Sequence, residues 1–203
     1  MSPFSSWVVI ILIVVTSVGI LLARDWRQLI ILLSAQYVGV FILTLQHWPL
    51  GMATVKVIAG WMGAAILGMT RSNLGEQDED TKNILPQGRF FRFIAAGVVG
   101  VIAATAAPLV DSLMADAGMV VSAGSLLLIG MGLLHLGVTD QAMRVTIGLM
   151  TVLAGFEILY TAVESSLLVA ASLATINLGL ALVGAYLMIA SEANEEENET
   201  ETA

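Results

Sequence analysis

The chain of 203 residues is 58% hydrophobic and only 12% charged, about half the ~25% charged fraction of a soluble domain, and its mean hydropathy of +0.91 is that of a lipid-embedded protein. The absence of cysteine excludes disulfides, thiolate zinc sites, iron–sulfur ligation and cysteine catalysis, and two histidines, His47 and His135, make no cluster for haem or copper. A net charge of −8 leaves no basic face for nucleic acid.

A spanning helix needs roughly 20 apolar residues. Seven stretches qualify in chain order, at about 7–23, 29–46, 51–70, 93–110, 118–137, 145–163 and 166–190. The chain is thus expected to be an all-α, polytopic helical bundle, one transmembrane domain over 1–190. The first stretch has no Lys or Arg before it and no convincing cleavage site, so it reads as a helix rather than a signal peptide. Between the second and third, Pro49 limits helical continuation and Trp48 suits the lipid interface. The fourth, with AAGVVGVIAATAA, is rich in small residues that allow close helix approach. The sixth and seventh meet at 163–166 with little spare chain, as an antiparallel hairpin.

Seven of the 8 basic residues, Arg24, Arg27, Arg71, Lys82, Arg89, Arg92 and Arg144, fall after or beside the first, third and fifth helices. The connections after the second, fourth and sixth hold only Asp111, Asp116 and Glu164 among charged residues. The positive-inside rule then places the N-terminus outside and the C-terminus in the cytoplasm, in a cell plasma (inner) membrane. The cytoplasmic loop, about 71–92, carries the acidic run 76–80, and the tail 191–203 is acidic and free of large apolar residues. The tail is expected to be disordered.

Two ionisable residues interrupt the spans, Lys56 in the third and Glu157 in the sixth. Such groups are costly in hydrocarbon and turn to protein or water. At 1.5 Å per residue, Lys56 lies about 7 Å and Glu157 about 10 Å from the outer end. Opposite charges at matched depth suggest a pair inside the bundle, direct or water-joined. Snorkelling of Lys56 to the surface is the alternative. Gln36, Thr54, Thr151, Tyr160, Thr161, Thr175 and Asn177 supply further polar groups, which serve either as interhelical hydrogen bonds or as members of a proton path. His47 and His135 lie near span ends, where interfacial residence is the simpler reading. With Lys56 and Glu157, the path candidates are Gln36, Thr175, Asn177, Tyr160 and His135. No phosphate loop, metal cluster or nucleophile constellation appears, so no active site, cofactor or metal of its own is expected.

The first three and last three helices share an order of helix, basic turn and tight hairpin. Setting Arg27 on Arg144 also brings Ile30 onto Ile147, Leu32 onto Leu149 and Thr44 onto Thr161, and a two-residue shift sets Gly60 on Gly179. This is a candidate parallel repeat of three-helix units.

The basic turn at Arg144, the run Ile147-Gly148-Leu149-Met150 and the third-helix run Asn177-Leu178-Gly179-Leu180-Ala181-Leu182 carry a resemblance. Residues 118–190 resemble the three-helix K subunit of complex I and its relatives in membrane hydrogenases and multisubunit cation/proton antiporters. The whole, with a lysine in its third helix, looks like component E of hydrogenase-4-type complexes. In K subunits glutamates occupy the positions held here by Met150 and Thr175. Glu157 lies seven residues beyond Met150, two helical turns further on nearly the same face, so the proton path is either displaced outward or lost. The resemblance implies a prokaryotic membrane-arm subunit of a complex I-like or membrane-hydrogenase-like oxidoreductase, with antiporter-like and K/J-type membrane neighbours, contributing assembly contacts and a proton path. A cation/proton antiporter or inorganic-carbon transporter subunit, and a purely structural scaffold, are the alternatives.

Overall fold

Hydrocarbon offers no water to satisfy backbone amides, so each apolar run closes its own hydrogen bonds as a helix. A computed structural model describes the backbone of residues 3–74, 88–114 and 117–202, and side chains within 7–74, 88–114 and 117–194. It is all-helical: α1 (Pro3–Leu22), α2 (Trp26–Thr44), α3 (Leu50–Asn73), α4 (Arg89–Leu113), α5 (Met119–Gly137), α6 (Ala142–Thr161) and α7 (Leu167–Thr202). Six of these are long and apolar enough to cross a membrane, and α1 contributes the shorter apolar stretch Trp7–Leu22. The protein is a multi-pass membrane bundle.

Each expected span coincides with one helix, with shifts at the ends. α4 starts at Arg89 rather than near 93 and runs on to Leu113, with Pro108 inside it; that proline leaves the carbonyl one turn earlier without its helical donor. α3 and α4 take both ends of the segment 71–92. The acidic run 76–80, Lys82 and Asp116 lie outside the described residues. The larger difference is at the C-terminus: α7 continues to Thr202, where the acidic composition predicted disorder. Glu and Ala are strong helix formers, and extending a helix that already exists avoids the cost of nucleating one.

The packing is of two three-helix layers. α2 lies between α1 and α3, and α6 packs on both α5 and α7. Across the layers α1 meets α5, α2 meets α6 and α3 meets α7. Each helix therefore stacks on its counterpart in the candidate repeat, and α4 leans against α5 and α1 at the edge. The sequence match of Gly60 to Gly179 does not extend to environment, since a Cβ on Gly60 would strike the Tyr37 ring whereas one on Gly179 meets open space.

Small residues set the closest approach. A Cβ on Gly132 would lie 2.9 Å from the Gly148 carbonyl oxygen, and one on Gly155 would lie 2.8 Å from that of Ser125. The α5 and α6 backbones are in contact there, as small residues permit in membrane interfaces. Gly118, at φ +82°, makes the turn into α5 in a backbone region that other residues rarely adopt.

Hydrogen bonds identify the two ends. At one, Arg144 Nη2 donates to the Arg24 carbonyl at 3.0 Å and Arg92 Nη1 to the Leu21 carbonyl at 3.4 Å. The arginine-bearing turns thus gather at a single end. At the other, Trp48 Nε1 donates to the Glu164 carbonyl at 2.9 Å, tying the α2–α3 loop to the α6–α7 loop.

Candidate functional site

Lys56 sits in the second turn of α3 and Glu157 in the last turns of α6. Those helices belong to different layers, and both start or finish at the Trp48 end, so the two side chains reach the layer interface at one height. Lys56 Nζ lies 2.6 Å from Glu157 Oε1, with both side chains 2% exposed. Of the two expected arrangements, direct or water-joined, the direct pair is the one that forms, and Lys56 does not snorkel to the surface. Taking two charges out of water is expensive, and attraction in a medium of low dielectric offsets that only when the geometry is close. Lys56 Nζ also stands 5.8 Å from the centre of the Trp48 ring, within the range of a cation–π contact. Among the described residues, neither Nζ nor Oε1 has a hydrogen-bond partner beyond this pairing.

Trp48 was read as an interfacial residue, yet it is buried at 2% exposure. It covers the ion pair toward the loop end while its indole N–H is fastened to the opposite loop. The sequence offered one signal for it, a large aromatic about two turns before an intramembrane lysine.

One turn further in, about 6 Å by helical rise, Gly60 presses on the Tyr37 ring. Tyr37 donates its hydroxyl to Asn177 Oδ1 at 2.8 Å, joining α2 to α7 with both residues buried. Asn177 therefore holds a structural partner. Tyr37 was missed as a polar residue, although a phenol in mid-span must find an acceptor.

Deeper still, Gln36 Nε2 donates to Ser17 Oγ at 3.0 Å, linking α2 to α1. Thr151 Oγ1 approaches Gln36 Oε1 at 3.4 Å while donating to its own-helix Ile147 carbonyl at 2.8 Å. Thr151 lies six residues before Glu157, about 9 Å away along α6. Beyond it His135, expected at the interface, is instead buried at 4% exposure. The last turn of α5 turns it inward, against Gly148, where the missing side chain makes room: a Cβ there would come within 3.3 Å of the imidazole Cδ2. His47, in contrast, is partly exposed.

Four other candidates have partners outside this column. Thr175 is exposed and donates to its own Ala171 carbonyl at 2.9 Å. A threonine can satisfy itself one turn back along its helix, so it needs no place in the interior. Tyr160 is half-buried, its ring 6.0 Å from that of exposed Phe156. Thr54, too, bonds back to its own helix at the Leu50 carbonyl, and Thr161 to the Ile158 carbonyl at 2.7 Å.

The structure thus brings together Lys56, Glu157, Gln36, Asn177 and His135 along one buried line between the layers, with Trp48, Tyr37, Ser17 and Thr151 added. No group of three or more acidic or histidine side chains suited to a metal occurs among the described residues. Comparison with protein families, with curated proteins and with solved structures finds no match to this chain.

Proposed function

We propose that this chain is a membrane-arm subunit of a complex I-like or membrane-hydrogenase-like oxidoreductase, in which Lys56 and Glu157 form a protonatable element of a lateral proton path. The observation that carries the reading is the 2.6 Å ion pair, 2% exposed, at the seam of the two layers. An intramembrane charge is costly enough that ion and proton pathways are its usual reason. Protonation of Glu157 removes the attraction that holds Lys56 and frees the ammonium to turn elsewhere, which is a local electrostatic switch. Gathering of Arg24, Arg92 and Arg144 at one end supports a cytoplasmic face there, with the N-terminus outside in a prokaryotic plasma membrane. The chain's own residues bind no redox group on this reading. Electron transfer belongs to the partner subunits, and this subunit adds contacts and the path.

The test is a Glu157→Gln substitution in the complex purified from native membrane in mild detergent. Copurified iron–sulfur or nickel subunits, retained electron transfer and reduced proton pumping are the expected result. Copurification only with ion-transport subunits, together with sodium-stimulated transport, moves the chain to a cation/proton antiporter or inorganic-carbon transporter. Unchanged pumping in an intact complex removes the path and leaves an assembly scaffold.

A further inference from the structure

Below the ion pair, α1, α2, α5 and α6 frame a small cavity lined by Ser17, Ile20, Gln36, Met131, Gly132, His135 and Thr151. It has about 10 Å³ of room for the centre of a water molecule, which is the space a single water needs. Its walls are buried: Ser17, Gln36, His135 and Thr151 are each at most 4% exposed and Met131 is 3%. The ion pair lies outside it, nearer the Trp48 end.

His135 is the unusual member. Both ring nitrogens are buried and neither makes a hydrogen bond of normal geometry to any described residue; the Arg144 backbone is a looser hydrogen-bonding neighbour that can serve at most one of them. A neutral imidazole carries one donor and one acceptor, and buried polar groups of this kind are nearly always satisfied by protein or ordered water. The facing groups have capacity to spare. Gln36 Oε1 has two lone pairs and receives only the 3.4 Å approach of Thr151, longer than a normal O–H···O bond. Thr151 spends its proton on Ile147 and keeps a free lone pair. Apolar cavities of this size stay dry, whereas polar ones with two to four partners hold water.

We propose that this cavity is a binding site for one ordered water, held by His135, Gln36 and Thr151. Water both donates and accepts, so it serves either tautomer of His135. A larger ligand such as a quinone ring or a lipid headgroup is excluded by size. The site does not depend on the transport reading. Within that reading it gives His135 a proton-exchange partner toward the arginine end, well below Glu157.

Hydroxyl radicals generated by X-ray radiolysis of bound water oxidise side chains beside that water even when bulk solvent cannot reach them. Met131 lines the cavity; Met150 is equally buried but does not. With the protein in nanodiscs in ¹⁸O-labelled water, Met131 is expected to take up labelled oxygen several-fold faster than Met150. His135→Phe, which fills and depolarises the space, is expected to bring Met131 down to the Met150 rate. Thr151→Val, which keeps the shape and deletes a partner, is expected to lower it in part, and is read alone if the phenylalanine variant fails to fold. Equal rates at the two methionines in the wild type, or a fast Met131 rate unchanged in the folded variants, overturn the proposal. Labelled Met131 with pumping intact in Glu157→Gln keeps the water site and drops the path; the converse pair of results drops the site alone.

Discussion

α4 and α6 are both spanning helices, and they are built on opposite principles. The most apolar window of α4 has mean hydropathy 2.2 and is 17% buried inside the protein; that of α6 has mean hydropathy 1.6 and is 56% buried. The less apolar helix is the more enclosed one. In water the reverse is expected, because burial there follows hydrophobicity. In lipid there is no hydrophobic penalty for an outward-facing leucine or phenylalanine, so helix association depends on close packing and polar contacts. α4 accordingly shows Phe90, Phe93, Val101 and Ile102 to its surroundings, while α6 turns Glu157, Thr151, Gly148 and Gly155 inward.

The strongest challenge to this contrast is Lys56→Ala, which leaves the Glu157 carboxylate without its cation. Loss of one partner of a buried pair costs about 3–5 kcal/mol, to be read by denaturing-detergent titration of the reconstituted protein. Val101→Ala on α4 is expected to fall within about 0.5 kcal/mol of wild type. The paired change Lys56→Met with Glu157→Met should recover most of the loss, since an apolar pair of similar volume often replaces a buried ion pair at little cost. If Lys56→Ala costs no more than Val101→Ala, the ion pair contributes nothing to holding the layers together.

Gly60→Ala and Gly100→Ala sharpen the comparison at a smaller scale. The new methyl of the first strikes the Tyr37 ring, and that of the second meets open space. Overpacking at Gly60 should cost about 1–3 kcal/mol, while Gly100→Ala should be neutral or gain up to about 1 kcal/mol from helix propensity. Thermal unfolding in one detergent measures both. Among the changes expected to weaken the interior, the smallest is Tyr37→Phe, about 1 kcal/mol for the bond to Asn177. It should also raise hydrogen–deuterium exchange where α7 meets α2, with α4 unchanged.

Much of the helical plan is legible from the sequence because lipid imposes a length and an apolarity on every span. The Lys56–Glu157 pair is legible for the same reason: a charge in such a stretch has few places to go, and helical rise fixes its depth. Lateral neighbours are not legible. Tyr37 finds Asn177 across 140 positions, and Gln36 finds Ser17 rather than the ion pair, because helix rotation decides which of several polar residues face inward. Thr175 shows the limit from the other side, since a hydroxyl that bonds its own helix carries no information about which way it points. His135 was misjudged because nearness to a span end says nothing of rotation, and Gly148 on the next helix provides its space. The acidic end of α7 was misread because net charge opposes folding into a core but does not stop a helix already begun.

Of the four tryptophans, Trp7 and Trp61 are exposed and Trp26 is half-buried, whereas Trp48 is enclosed at 2%. Its indole is hydrogen-bonded to one layer's loop while its chain belongs to the other, and an ammonium stands over its ring. The protein therefore contains its own optical gauge. With the other three indoles replaced by phenylalanine, the remaining emission reports directly on whether Lys56 keeps its position and whether the layers part at that end. A brominated lipid would quench it only after they had separated.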